Sequence, residues 1–162
     1  MTDERPTPTT DAAEGAGSPD DLLQLDRQVC FALAVATRNV IALYRPVLEP
    51  LGLTHPQYLV MLALWERSPL SVREIGRLIS LEPATLSPLL KRLESAGLVA
   101  RDRDPRDDRA LAVTLTERGR ALRERALDVP PQIIAALGMP VEQLQELHAS
   151  LTRVIAATTP DR

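Results

Sequence analysis

The sequence predicts a mainly α-helical domain with one small β-hairpin, and three observations carry that expectation. Apolar residues recur at spacings of three and four through most of the chain. Aromatic residues make up only 2% of the 162 residues, so the core must be Leu, Val, Ile and Ala, which suits packed helices better than an aromatic-rich sandwich. A single pair of short Val- and Leu-bearing runs flanks a cluster of turn-forming residues near position 105. With 44% hydrophobic and 25% charged residues, the chain has ordinary globular composition and enough length to bury a core.

Residues 1–17 are Thr, Pro, Asp, Glu, Gly and Ala without apolar period, and nothing there offsets the entropy of ordering, so they are expected to form a disordered tail to a domain at 18–162. Ser18, Pro19, Asp20 and Asp21 supply a capping hydroxyl, a first-turn proline and first-turn acids. Leu22, Leu25, Val29, Leu33, Ala36, Val40 and Leu43 then form one stripe, which predicts a long helix at 22–48 with Pro46 kinking its end. Thr54 and Gln57 make a capping box for a second helix reaching Glu66, which Ser68-Pro69 breaks. Ser71 and Glu74 make another capping box, opening a short third helix with Ile75, Leu78 and Ile79 on one face.

Pro83 opens a fourth helix carrying Leu86, Leu89, Leu90 and Leu93, and Gly97 stands at its C-terminal cap position. Leu98–Arg103 and Arg109–Leu115, separated by Asp104-Pro105-Arg106-Asp107-Asp108, read as a hairpin with a charged tip. Thr116 caps a fifth helix to about Leu127, Pro130-Pro131 interrupt it, and Val141, Leu144, Leu147, Leu151, Val154 and Ile155 mark a final amphipathic helix.

Several function classes are excluded by composition. No run of about 18 uncharged apolar residues and no basic-then-apolar leader is present, so no membrane partner and a cytoplasmic location are expected. The single cysteine, Cys30, allows no internal disulfide and supports no Cys-rich metal site. His148 has no ligand-spaced partner, and no catalytic triad or phosphate-binding signature appears, so neither an enzyme nor a cofactor or metal is expected. The net charge of −3 hides a segregation: residues 1–29 hold two basic and seven acidic groups, a net −5, whereas residues 91–125 hold ten basic and seven acidic groups, a net +3. A polyanion responds to local charge within a Debye length of about 8 Å.

The order of elements is that of a winged helix-turn-helix with extra helices at both ends: a DNA-binding lobe at 54–115, the helix-turn-helix at 71–97 and the wing at 98–115. With the fourth helix's leucines inward, Ala84, Thr85, Ser87, Lys91 and Arg92 project outward as candidate contacts to base edges and phosphates of double-stranded operator DNA. Arg106 at the wing tip is a further DNA candidate, while Asp107 and Arg109 read as a pair shaping the wing. The segments 22–48 and 116–158 carry more apolar stripe than one lobe covers, which predicts a homodimer built on them.

Leu89-Leu90-Lys91-Arg92-Leu93-Glu94, Gly97-Leu98, Asp107-Asp108-Arg109 and Leu115-Thr116 resemble the MarR family of bacterial transcriptional regulators, whose wing carries an Asp-x-Arg followed by Leu-Thr. Within it, Leu25-Asp26-x-Gln28-x-Cys30-Phe31, Leu43-Tyr44-x-Pro46 and Pro56-Gln57-Tyr58-Leu59-Val60-Met61-Leu62-x-Leu64-Trp65-Glu66 are similar to the organic-hydroperoxide regulators of the one-cysteine OhrR type. The resemblance implies a homodimeric repressor on a pseudo-palindromic operator, released when Cys30 is oxidised, with Tyr44 of the other subunit hydrogen-bonded to the thiol. Fourteen residues separate Cys30 from Tyr44, about 21 Å along one helix, so only antiparallel pairing of two first helices joins them.

His55 and Ala34 fall where such regulators carry further tyrosines, removing phenol donors that favour a thiolate. A protonated imidazole at His55 is one replacement, and an exposed first-turn residue without a role is the other reading. The resemblance implies an organic hydroperoxide as oxidant, and because the chain has no second cysteine to resolve a sulfenic acid, a low-molecular-weight thiol is expected as the other reactant. The alternative within the same fold is release by a small phenolic or aromatic acid, with Cys30 a small apolar residue.

Overall fold

The computed structural model describes residues 23–104 and 107–159, and the side chains of these except at 103, 104 and 107–110. The chain divides into two compact units, residues 1–39 and 40–162.

In the first unit, a 3-10 turn at Leu25–Arg27 precedes helix α1, Val29–Leu48, which runs on into the second unit. This corrects the expected continuous helix from 22: Gln28 is extended at φ −79° and ψ 120°, and that conformation interrupts the helical path. The Ser18 cap, Leu22 and the expected tail at 1–17 lie outside the described residues. The anticipated stripe finds little cover, since Leu48 is the only buried residue of α1, while Leu25 and Val29 are 63% and 70% exposed.

The second unit holds the winged helix-turn-helix. Helix α2, His55–Glu66, starts where the Thr54 N–H donates to Gln57 Oε1 at 2.9 Å. A two-residue strand β1, Leu70–Ser71, leads into α3, Val72–Leu78, capped by a reciprocal pair in which Ser71 N–H donates to Glu74 and Glu74 N–H to Ser71 Oγ. Helix α4, Pro83–Ser95, ends in a Schellman cap: Gly97 is left-handed at φ +68°, its N–H donates to the Glu94 carbonyl, and Leu98 N–H donates to that of Leu93.

Strands β2, Val99–Asp104, and β3, Asp107–Leu115, form the hairpin, pairing Val99 with Leu115 and Arg101 with Val113. They extend into the expected 104–108 turn, taking up residue 104 at the end of β2 and residues 107 and 108 at the start of β3. The sheet has order β1-β3-β2, with Leu70 opposite Val113. The third strand was not foreseen, because two residues display no alternation. The core beneath joins Leu48, Val60, Met61, Leu64, Leu70, Ile75, Leu86, Leu90, Leu93, Val99 and Val113.

Beyond the wing come α5, Glu117–Ala126, α6, Val129–Leu137, and α7, Val141–Thr158. The fifth helix ends near Leu127 as expected, but the break lies at Leu127–Asp128 and the prolines follow it, in the first turn of α6, where a missing N–H has no partner to lose. Helix α7 buries nothing, and Leu147, Val154 and Ile155 stand exposed.

No long uncharged apolar run was expected and none occurs here, although Val29–Leu51 has the length of a membrane-crossing helix and a stretch of mean hydropathy 1.2. It contains Arg38 and Arg45, and an arginine near the centre of a spanning helix costs about 2.5–3.5 kcal/mol on insertion scales. Its exposed apolar face therefore fits protein packing better than lipid.

Candidate nucleic-acid interface and sensor pocket

Helix α4 presents two faces. Leu86, Leu89, Leu90 and Leu93 are buried, and Ala84, Thr85, Ser87, Lys91 and Arg92 are exposed, as their spacing predicts. Ser87 Oγ donates to the Pro83 carbonyl at 3.0 Å and keeps its oxygen free to accept. Pro88 is exposed, and the carbonyl it leaves without a helical donor belongs to Ala84, itself exposed, so the missing bond falls at the surface rather than in the core. Neither Lys91 nor Arg92 makes an ion pair among the described residues.

The wing is only partly visible as a binding surface. Arg106 lies outside the described residues, and Asp107 and Arg109 lie on β3 with side chains outside the description. Arg101 is engaged: its Nε donates to Glu94 Oε2 at 3.0 Å and its Nη2 to the same oxygen. That hydrogen bonding holds the Glu94 carboxyl below its ordinary range and ties β2 to the last turn of α4. Arg120 donates to the Leu115 carbonyl at 2.8 Å and Arg125 to that of Pro50 at 2.7 Å. A count along the sequence therefore overstates the cations available to phosphate. Of the seven basic groups in 91–125 whose side chains are described, three serve the protein's own acceptors, although those on carbonyls keep their charge.

Cys30 is exposed in the first turn of α1. Tyr44, near the other end of that helix, is half-buried and stands edge-on to His55 at the start of α2, with ring centroids 4.9 Å apart. Burial raises the Tyr44 pKa and lowers that of His55. Near neutral pH the pair therefore offers an undissociated phenol and an uncharged imidazole, both hydrogen-bonding groups. This weighs against a protonated His55 as a charge beside a thiol.

Tyr58 and Trp65 extend the aromatic group. Tyr58 lies 6.0 Å from Tyr44 and 6.3 Å from Trp65, and burial followed by the neighbouring Tyr44 raises its pKa. Sequence reasoning left both residues without a role, yet their spacing of seven places them on one face of α2 and was the available signal. Among the described residues no cluster suited to a metal ion occurs. A cleft of about 540 Å³ opens between the Glu49–Gly52 turn, the end of α4 and α5, edged by Arg118 and Arg125 over Leu51, Leu98 and Leu122.

Comparison with known proteins places this geometry in a family. Residues 53–111 match the MarR family. The chain is 39% identical over 131 residues to the organic hydroperoxide resistance transcriptional regulator of Bacillus subtilis, covering 81% of this chain and 89% of that one. The structure of reduced AbfR bound to DNA, a protein of Staphylococcus epidermidis, superposes with a TM-score of 0.69 at 33% identity, over 85% of this chain and 96% of the other. BpsR of Bordetella bronchiseptica, whose DNA binding is regulated by 6-hydroxynicotinic acid, superposes with a TM-score of 0.75 at 25% identity, over 85% and 98%. These relatives are transcriptional regulators.

Proposed function

The chain belongs to the MarR family of transcriptional regulators, and from that membership we propose a homodimeric repressor that binds a pseudo-palindromic operator and releases it when an organic hydroperoxide oxidises Cys30. Two separate observations support this reading: an exposed lone thiol on α1, and the half-buried Tyr44–His55 couple, whose neutral hydrogen-bonding groups suit a partner subunit's sulfur. Exposed Leu147, Val154 and Ile155 on α7 supply apolar surface that a second copy would cover, and Val29 on α1 stands exposed as well. Thr85, Ser87, Lys91 and Arg92 on α4 would meet the major groove, with Arg106 reaching the adjacent backbone. A repressor of this kind works where the chromosome is, in the cytoplasm.

The chemistry balances without a cofactor. The Cys30 thiol reduces the hydroperoxide to an alcohol and becomes a sulfenic acid. A small cellular thiol then condenses with it, forming a mixed disulfide and expelling water. An intersubunit Cys30 disulfide is disfavoured, because antiparallel pairing that sets Cys30 against Tyr44 of the partner offsets the two cysteines by about 21 Å, whereas a disulfide needs Cα atoms within about 7 Å. The mixed disulfide is the releasing species, its bulk displacing the Tyr44 side of the pocket.

The test follows operator binding and intact mass after a purified sample meets an organic hydroperoxide, with and without a low-molecular-weight thiol. Full release with one added oxygen, or a cysteine-linked dimer on a non-reducing gel, defeats the mixed-disulfide step. Release that persists in Cys30→Ser defeats redox sensing. That last outcome would favour the second reading, a regulator released by a small phenolic or aromatic acid, which the arginine-edged cleft and the BpsR likeness support.

A further inference from the structure

Tyr44 is linked to the DNA-binding elements by an unbroken series of stiff contacts. Its ring lies 6.0 Å from that of Tyr58, which is 4% exposed and has no room to yield. Tyr58 in turn stands edge-on to Trp65 at 6.3 Å and 66°. Trp65 Nε1 donates to the Gly119 carbonyl at 2.8 Å, the one side-chain hydrogen bond from α2 to α5 among the described residues.

The receiving end is equally tight. Gly119 lies so close to Leu98 that a Cβ there would meet its carbonyl oxygen at 2.0 Å. Three residues earlier, Thr116 N–H donates to that same oxygen at 3.1 Å and Thr116 Oγ1 donates to the Gly97 carbonyl at 2.7 Å. Gly97 and Leu98 are the residues that close α4 and open β2. A shift of Trp65 is therefore delivered to the junction of recognition helix and wing. Close-packed groups pass displacement on rather than absorb it.

We propose that Trp65 is a positioning residue that couples the Tyr44–His55 pocket to the α4–β2 junction through its hydrogen bond to Gly119. The coupling is a property of this lobe, and only its physiological meaning rests on reading Tyr44 as part of the sensor. Displacing Tyr44 loosens Tyr58 and Trp65, slackens the bond to Gly119 and lets α5 and the end of α4 drift from their DNA-binding arrangement.

Trp65 is the single tryptophan of the chain, so its fluorescence reports this bond without a label. The experiment combines that signal with a double-mutant cycle on DNA from the gene's own upstream region. Tyr44→Ala is expected to weaken DNA binding about tenfold in the parent chain and less than threefold in the Trp65→Phe background, and to shift the Trp65 emission maximum. Should Trp65→Phe fail to fold, Tyr58→Leu removes the middle ring and is expected to give the same loss of coupling. Equal Tyr44→Ala effects in both backgrounds, or an unmoved Trp65 emission, overturns the proposal. The cycle uses no oxidant, so a parent chain that ignores hydroperoxide sinks redox sensing while leaving this coupling to be judged on its own.

Discussion

Replacing Gly119 by alanine puts a methyl group 2.0 Å from the Leu98 carbonyl oxygen and 3.0 Å from its carbon, both backbone atoms that cannot swing aside. An ordinary carbon–oxygen contact is about 3.3 Å, so α5 and the α4–β2 junction must part by roughly 1.3 Å. Overpacking of this kind costs about 1–3 kcal/mol, sometimes more, and moving Leu98 also stretches its bond from Thr116 N–H, worth about 1 kcal/mol. Against this, alanine gains about 1 kcal/mol over glycine in a helix. The net is a destabilisation of about 2 kcal/mol, opposite in sign to helix propensity.

Urea unfolding at fixed protein concentration measures it, with an expected midpoint drop of about 1 M for a slope near 2 kcal/mol/M. Gly97→Ala is the internal comparison, since a Cβ there meets nothing within 4 Å and only the left-handed φ of +68° is strained, costing about 1 kcal/mol. If Gly119→Ala costs no more than Gly97→Ala, the close approach of α5 to Leu98 is wrong.

Other predictions follow from the same geometry. Because burial holds the folded His55 pKa below 6.5, the unfolded chain takes up that proton first as pH falls; stability should decline from about pH 6.5 down to the lowered value, and His55→Gln should remove that part of the slope in unfolding measured against pH. Arg101→Ala should return the Glu94 titration, followed by NMR, upward toward 4.5, since its guanidinium is the main cause of the depression. Lys91→Ala or Arg92→Ala should each reduce the slope of log affinity against log salt by about 0.9 in an operator titration, and an unchanged slope would remove that residue from the phosphate contacts. Sedimentation at micromolar concentration should show a dimer, and a monomer there would leave the apolar faces of α1 and α7 without their proposed cover.

The sequence by itself determined what depends on neighbours a few residues apart. The Thr54–Gln57 and Ser71–Glu74 capping bonds, the leucine face of α4 with its exposed polar side, and the left-handed Gly97 cap were all legible, because each is written within one turn of chain. Tertiary structure decided whatever depends on distant partners. Leu70–Ser71 becomes a strand only because β3, some forty residues later, offers a free edge. Ser80 adopts φ +54° at the end of α3, where no glycine announces a cap, because Leu81 N–H must reach the Gly76 carbonyl before α4 begins.

Charge followed the same rule. Arg101 counted as a free cation along the chain until folding set it against Glu94. The sequence grouped Tyr44 with His55 only through a family resemblance, and the Tyr58–Trp65–Gly119 connection was invisible, since α2 and α5 must first pack before a ring 54 residues from its partner can meet it. Local patterns select elements, whereas close packing of the folded lobe chooses which polar groups face one another and which remain for a ligand.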